Sequence, residues 1–350
     1  MNKTMWILFL LIISTILITA QDKKETTGKF SGYMVGEYYN ISDHNNKDLK
    51  GQHGFQFRRI YFTYDYKFNS KFSTRLRLEM NNDGKLNDDG KFDKIVISPF
   101  VKDAYLQYKF GLQKAYFGIA SPPTFKIIEK VWGYRIVEKT PLDLQKMASS
   151  RDFGVGMAGQ FDKSGMIKYH AMVANGSGNK QEIDKGKSFM ASLSFWPIKE
   201  LVLEGYADYA DRAGAADTYI TQGFLGYNSK TLHGGIQYSQ QLLKAKDDQS
   251  EEITLKVLSV FLSGNILNNI KLLGRVDRML EPNPKGPDVA YTPFNDTASF
   301  TEIIAGVDIS VHEDIKIIPN VKFAMYDENK EGNKPANDLY ANMTFYWRFK

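Results

Sequence analysis

Basic side chains recur along this chain where an extended backbone would turn them to one side. Arg59 shares a run with Tyr61, Thr63 and Asp65, and Arg75 and Arg77 share the next with Ser73 and Glu79. Lys109, Arg151 and Arg275 hold comparable positions. Guanidinium and ammonium groups ranged along an aqueous path would favour anions, because rings of charged side chains set which ions pass. The same groups would serve equally as lumenal charges paired with the carboxylates beside them. A second concentration lies at 121–150, where Lys126, Lys130, Arg135, Lys139 and Lys146 stand among Glu129, Glu138 and Asp143. A stretch of about 30 residues with little periodicity is unusual in a compact domain unless it has a function. Folded inward, it would narrow a pore and filter charge; folded outward, it would be a solvated loop.

Other chemistry finds less support. There is no cysteine, which excludes disulfides, thiolate metal sites and a cysteine nucleophile. His44, His53, His170, His233 and His312 show no metal-ligand spacing. His233 falls on a polar strand face and could pair with a serine, but no serine motif flanks it. Gly154-Val155-Gly156-Met157-Ala158-Gly159 matches the G-x-G-x-x-G pattern, yet a turn follows it rather than the helix a dinucleotide site requires. These glycines are expected to let a strand pass close to a packed loop. The Asn/Asp/Gly stretch from Asn81 to Gly90 suggests a calcium loop, but a Gly90-centred register puts Lys85 where the first acid belongs and Val96 at the last position. It reads as a polar loop. No cofactor is implied.

The elements that carry these residues are strands. Ile60, Phe62, Tyr64, Tyr66 and Phe68 alternate with Arg59, Tyr61, Thr63 and Asp65. After Asn69-Ser70-Lys71, Phe72, Thr74, Leu76, Leu78 and Met80 alternate with Ser73, Arg75, Arg77 and Glu79. Side chains of a strand point to opposite faces with period two, so this is a hairpin with one apolar and one charged face. About sixteen such segments begin near residues 29, 54, 72, 101, 113, 151, 166, 187, 201, 218, 231, 253, 270, 299, 315 and 338. Short connections at Asn69-Ser70-Lys71, Gly111-Leu112, Asp162-Lys163-Ser164-Gly165, Trp196-Pro197, Asn228-Ser229-Lys230 and His312-Glu313-Asp314 interleave with long polar ones at 81–99, 121–149, 176–186, 243–252, 281–298 and 327–337. That rhythm, with 13% aromatics and a mean hydropathy of −0.38, predicts an all-β transmembrane antiparallel barrel rather than a helical membrane protein. At about sixteen strands a barrel leaves an aqueous channel. The formal charge of +5 is mild and implies no nucleic-acid partner.

Ahead of the barrel, Met1-Asn2-Lys3 opens an apolar run from Met5 to Ile18 that ends in Ile18-Thr19-Ala20. The run is shorter than the roughly 20 residues of a spanning helix, and the layout predicts an export signal over 1–20, cleaved after Ala20. Residues 21–28 then form a leader and 29–350 one barrel domain.

Several pieces, taken in order, resemble the phosphate-selective porin O and P family over most of the chain beyond the leader. They are Phe57-Arg58-Arg59-Ile60-Tyr61-Phe62, Ala115-Tyr116-Phe117-Gly118-Ile119-Ala120-Ser121-Pro122-Pro123, Glu138-Lys139, Ser150-Arg151-Asp152-Phe153-Gly154-Val155, Val173-Ala174-Asn175-Gly176-Ser177-Gly178 and Arg275-Val276-Asp277. The resemblance implies a sixteen-stranded outer-membrane porin, usually a homotrimer, with the third long loop folded into the lumen. Outer-membrane lipid, lipopolysaccharide and the barrel-assembly machinery are the expected partners, and no enzymatic activity is expected. The pore-lining and constriction candidates, from the polar strand faces and the long segment, are Arg59, Arg75, Arg77, Lys109, Lys126, Lys130, Arg135, Lys139, Arg151 and Arg275. Two departures bear on function. The chain ends Phe349-Lys350 rather than in an aromatic residue, and Asp65 and Glu79 stand among the arginines. The expected solutes are therefore small hydrophilic molecules, with phosphate-like anions as one class. Two further readings are a barrel hydrolase built on His233 and an adhesive barrel whose outer loops bind partners.

Overall fold

A computed structural model describes the chain except residues 1–26, 93, 95, 184, 213–215 and 246–250. The expected signal segment therefore lies outside the described residues. Sixteen antiparallel strands close into one barrel in sequence order, the first pairing with the last. They are β1 (Thr27–Asp43), β2 (His53–Lys67), β3 (Phe72–Asn81), β4 (Ser98–Phe110), β5 (Gln113–Ala120), β6 (Asp152–Gln160), β7 (Ile167–Ala174) and β8 (Ser188–Ile198). The second half is β9 (Leu201–Ala210), β10 (Thr218–Asn228), β11 (Leu232–Leu243), β12 (Ile253–Leu267), β13 (Ile270–Met279), β14 (Phe300–His312), β15 (Ile315–Tyr326) and β16 (Asp338–Phe349). Two short helices, α1 (Lys126–Trp132) and α2 (Pro141–Leu144), lie between β5 and β6. No described helix is long and apolar enough to cross a membrane.

Closure satisfies the backbone without a free edge, as a hydrocarbon environment demands. Outward positions are apolar and open: Phe62, Leu106, Leu193, Leu203, Ile236 and Val260 are exposed. Outward aromatic pairs lie towards both ends of the barrel. Phe30 stacks on Tyr64 and Phe72 packs on Tyr108 near the short turns, while Tyr38 meets Phe55 and Tyr209 meets Tyr219 near the long loops. An apolar band between two aromatic girdles is the outer surface of a bilayer-spanning barrel. Val260→Arg, in the middle of β12, is therefore expected to lower folding stability in bilayers by about 2–4 kcal/mol. Its inward neighbour Ser259 is the control position, and denaturant titration in liposomes measures the difference.

One connection and one glycine run differ from expectation. Trp196 and Pro197 lie inside β8, and the reversal comes at Lys199-Glu200. Proline is tolerated there because the ladder is irregular between Phe195 and Ile198, so its missing N–H removes no regular bond. The glycines of 154–159 run within β6 and are followed by a turn. They relieve crowding from a neighbouring strand rather than from a loop: a Cβ on Gly156 would lie 2.1 Å from the Tyr116 ring of β5.

Two bulges re-aim charge. Val35 pairs with Arg59 and Gly36 with Phe57, which leaves Arg58 as an extra residue. Arg77 pairs with Asp103 and Leu78 with Val101, which leaves Lys102 extra. A bulge lets two consecutive side chains take one face. Arg58 and Arg59 thus both point inward, as do Lys102 and Asp103.

Candidate functional site: a lysine-lined lumen narrowed by an inward loop

The segment 121–151 folds into the barrel. Helix α1 turns Ile128, Val131 and Trp132 onto the inner wall, against Val202, Phe224, Phe261 and Leu273. The Trp132 and Phe261 rings meet edge to face at 5.2 Å. Gly133 ends the helix in the left-handed conformation at φ 72°, which reverses the chain. Polar latches then fasten the return. Arg58 donates to Glu138 at 3.1 Å and to the Val137 carbonyl. Lys322 donates to Glu138 at 2.6 Å, and Arg275 to the Lys139 carbonyl at 2.6 Å. Tyr134 donates to Asp308 at 3.1 Å. Gln222 holds the Thr124 carbonyl and Gln241 the Met147 carbonyl. Burial opposes ionisation of Glu138, yet Arg58 and Lys322 outweigh it and hold the carboxyl well below the usual glutamate range.

The loop 280–299 folds over this segment. Val289, Phe294 and Ala298 share a core with Leu142, Leu144 and Met147, and Asn283 donates to the Gln145 carbonyl at 3.0 Å. Tyr291 has a left-handed backbone, φ 69°, that a bulky residue adopts only when its surroundings enforce it. Here its N–H donates to the Gly84 carbonyl at 2.6 Å, and its ring lies under the Arg58 guanidinium.

Three of the cavities among the described residues lie in the remaining lumen. The inner vestibule, about 780 Å³ at the short-turn end, and a middle cavity of about 420 Å³ share Gln107, Lys114, Lys126, Lys130 and His170. An outer cavity of about 370 Å³ opens among the long loops beside Lys139, Lys146, Arg212 and Lys285. Thr124 lines the outer cavity and Ser121 the middle one, so the stretch 121–124 is the partition at that point. Among the described residues, Lys109, Lys114, Lys126, Lys130 and Lys168 carry no ion pair, and all five line the inner vestibule, where Glu204 is the acidic lining residue. Desolvation in the narrow lumen, with repulsion from Lys130, Arg75 and Lys168, pushes the Lys126 ammonium below its ordinary value. Lys126 and Lys130 stand one helical turn apart, where like charges work against a helix. Local helix stability gives no reason for the pair, whereas an anion path does.

The sequence candidates divide between this path and the loop's foundations. Lys109, Lys126 and Lys130 line the vestibule, and Lys139 lines the outer cavity. Arg75, Arg135 and Arg151 line the middle cavity, but each is paired: Arg75 with Asp65 at 2.7 Å, Arg135 with Glu129 and Asp143, Arg151 with Asp103. Arg77 also pairs with Asp103, at 3.3 Å. Arg59 is buried against Glu79 and the Arg135 carbonyl, and Arg275 is 2% exposed against Asp277, beneath Trp132. These last two anchor the inward loop and do not line an open cavity. Sequence reasoning missed Arg58, Lys102, Lys114, Lys168 and Lys322. Lys114 was within reach, since Ala115, Phe117 and Ile119 face outward in the same strand.

His233 lies opposite Ser263 in the β11–β12 register, but the His233 Nδ1 and the Ser263 Oγ are both without a hydrogen bond. Among the described residues no cluster of acidic and histidine side chains is placed to hold a metal ion.

No family model matches this sequence, and no curated protein does. Solved structures do match. An anion-selective porin from Comamonas acidovorans superposes with a TM-score of 0.66 at 10% identity, over 93% of this chain and 100% of that one. The outer membrane channel DcaP of Acinetobacter baumannii gives 0.66 at 11% identity, over 94% and 100%. The outer-membrane OmpT of Vibrio cholerae gives 0.64 at 12% identity, over 94% and 99%. The chain therefore has the sixteen-stranded fold of outer-membrane porins. At these identities the likeness carries the architecture alone, and the narrower resemblance to the phosphate-selective family gains nothing from it.

Proposed function

We propose that this barrel is an outer-membrane porin that passes small hydrophilic solutes by diffusion, prefers anions and performs no catalytic step. The observation that carries the reading is the unpaired lysine wall. Lys114, Lys126 and Lys130 border both the inner and the middle cavity and have no carboxylate in ion-pair range among the described residues. Fixed charge of one sign in a low-dielectric channel concentrates counter-ions. The anion selectivity named for the Comamonas acidovorans porin and the trimer form named for Vibrio cholerae OmpT support extending the reading to anions and to a homotrimer.

Purified protein in planar bilayers is expected to give stepwise conductance and, in a potassium chloride gradient, a reversal potential of anion-preferring sign. A cation-preferring sign removes the anion claim. A silent bilayer removes the porin claim. Chemical cross-linking in detergent is expected to stop at trimers.

A further inference from the structure

Half of the inner vestibule is unsuited to a plain path for hydrated ions. Trp196, at the inward end of β8, contributes an indole anchored by its own Nε1–H to the Ser194 hydroxyl at 3.0 Å. Ile127 of α1 packs on the same buried cluster as Trp196, and Met166 adds to the apolar lining. The same cavity is lined by the unpaired ammonium groups of Lys114, Lys126 and Lys130, while Lys168 lies 4.4 Å from the centre of the Trp196 ring. A third feature completes the wall. Glu204 is 4% exposed, lies two registers across from Lys168 through Ser194, and, with the Ser192 hydroxyl as its polar neighbour, has neither carboxyl oxygen in a hydrogen bond of regular geometry. Such a carboxyl is a poor neighbour for a second negative charge and an open acceptor for a hydroxyl. At about 780 Å³ the space is of the size that holds small organic ligands.

We infer that the inner vestibule is a binding site for an organic monoanion with a flat apolar body and a hydroxyl group, of which a hydroxylated aromatic carboxylate is the simplest form. The lysines take the anionic end, the indole and Ile127 take the ring, and Glu204 accepts from the hydroxyl. This rests on the porin reading and deepens it: the favoured solute is an aromatic carboxylate and not an inorganic oxyanion. An inorganic oxyanion satisfies the lysines but leaves the Trp196 face and Glu204 without a partner.

The test uses 4-hydroxybenzoate as probe and inorganic phosphate as rival, with two readouts. Added on the short-turn side of a bilayer, 4-hydroxybenzoate is expected to block chloride conductance saturably where phosphate at the same concentration does not. In detergent or liposomes it is expected to quench tryptophan fluorescence saturably. Trp196→Leu should raise the half-blocking concentration, and Lys126→Gln should raise it in both readouts, each roughly tenfold, the loss expected for one good contact. Lys130→Gln, also at the surface of α1, repeats the test should Lys126→Gln fold poorly. Equal block by phosphate, or block indifferent to both Trp196→Leu and the lysine variants, overturns the site. Saturable quenching by a barrel that never conducts keeps the site and removes the porin reading, so the two failures are separable.

Discussion

Glu138→Ala is expected to release the inward loop and raise single-channel conductance several-fold. The Glu138 carboxyl is fully buried and joins three elements: Arg58 from β2 at 3.1 Å, Lys322 from β15 at 2.6 Å and the N–H of its own neighbour Lys139 at 2.8 Å. Removing one partner of a buried ion pair costs about 3–5 kcal/mol, because the remaining charges stay buried without compensation. Here two cations would be stranded, and the return segment after α1 relieves them most simply by lifting off and letting water in. The barrel does not depend on it, since the sixteen ladders run without the loop. Limited proteolysis within 133–147 should accelerate in step with conductance. Acid alone should not reproduce the effect at moderate pH. A carboxyl whose native value is lowered contributes its stability above the unfolded value, near pH 4.3, and loses it only as pH falls through the lower native value. The wild-type conductance should thus persist to about pH 4. Unchanged conductance together with an unchanged proteolysis rate in Glu138→Ala would show that the apolar seat of α1 holds the loop by itself.

How much of this was legible in the sequence follows from what each feature depends on. Strand positions were legible because lipid penalises polar groups on every second residue. Starts expected near 54, 113, 201, 253 and 338 fall at His53, Gln113, Leu201, Ile253 and Asp338. The short–long rhythm of connections was legible for the same reason. Side-chain facing was legible until a bulge intervened. Counting by twos from Arg59 puts Arg58 on lipid, and only the cost of an arginine there, about 2–4 kcal/mol at the midplane, hints that the chain must slip a residue. The partners of Arg275 and Glu138 were not legible. Their type says they face inward, but the Arg58–Glu138 and Lys322–Glu138 pairs span 80 and 184 residues of chain, and no local pattern encodes them. The cover of 280–299 over α2 is likewise a contact between distant residues, such as Asn283 and Gln145.

The separation of loop anchors from path residues yields the other large effect. Lys126→Glu combined with Lys130→Glu is expected to reverse the ion preference and change the sign of the reversal potential. Each reversal removes a positive charge and adds a negative one at the place where the inner and middle cavities meet. Exposed charges are screened beyond about 10 Å at moderate salt, but charges in a narrow lumen are screened less, so ions passing α1 feel most of the change. Neither lysine makes an ion pair among the described residues, and both lie off the apolar face of α1, so the loop should keep its seat. The two added carboxylates would lie near Lys114, Lys168 and Arg75, which are relieved of repulsion rather than stranded. Reversing Arg59 or Arg275 should behave differently, unseating the loop and widening the pore, because their partners Glu79 and Asp277 are buried. Preference that survives the double lysine reversal would move the filter outward, to the cavity beside Lys139, Lys146, Arg212 and Lys285, where Asp143, Asp152 and Asp208 already dilute the positive charge.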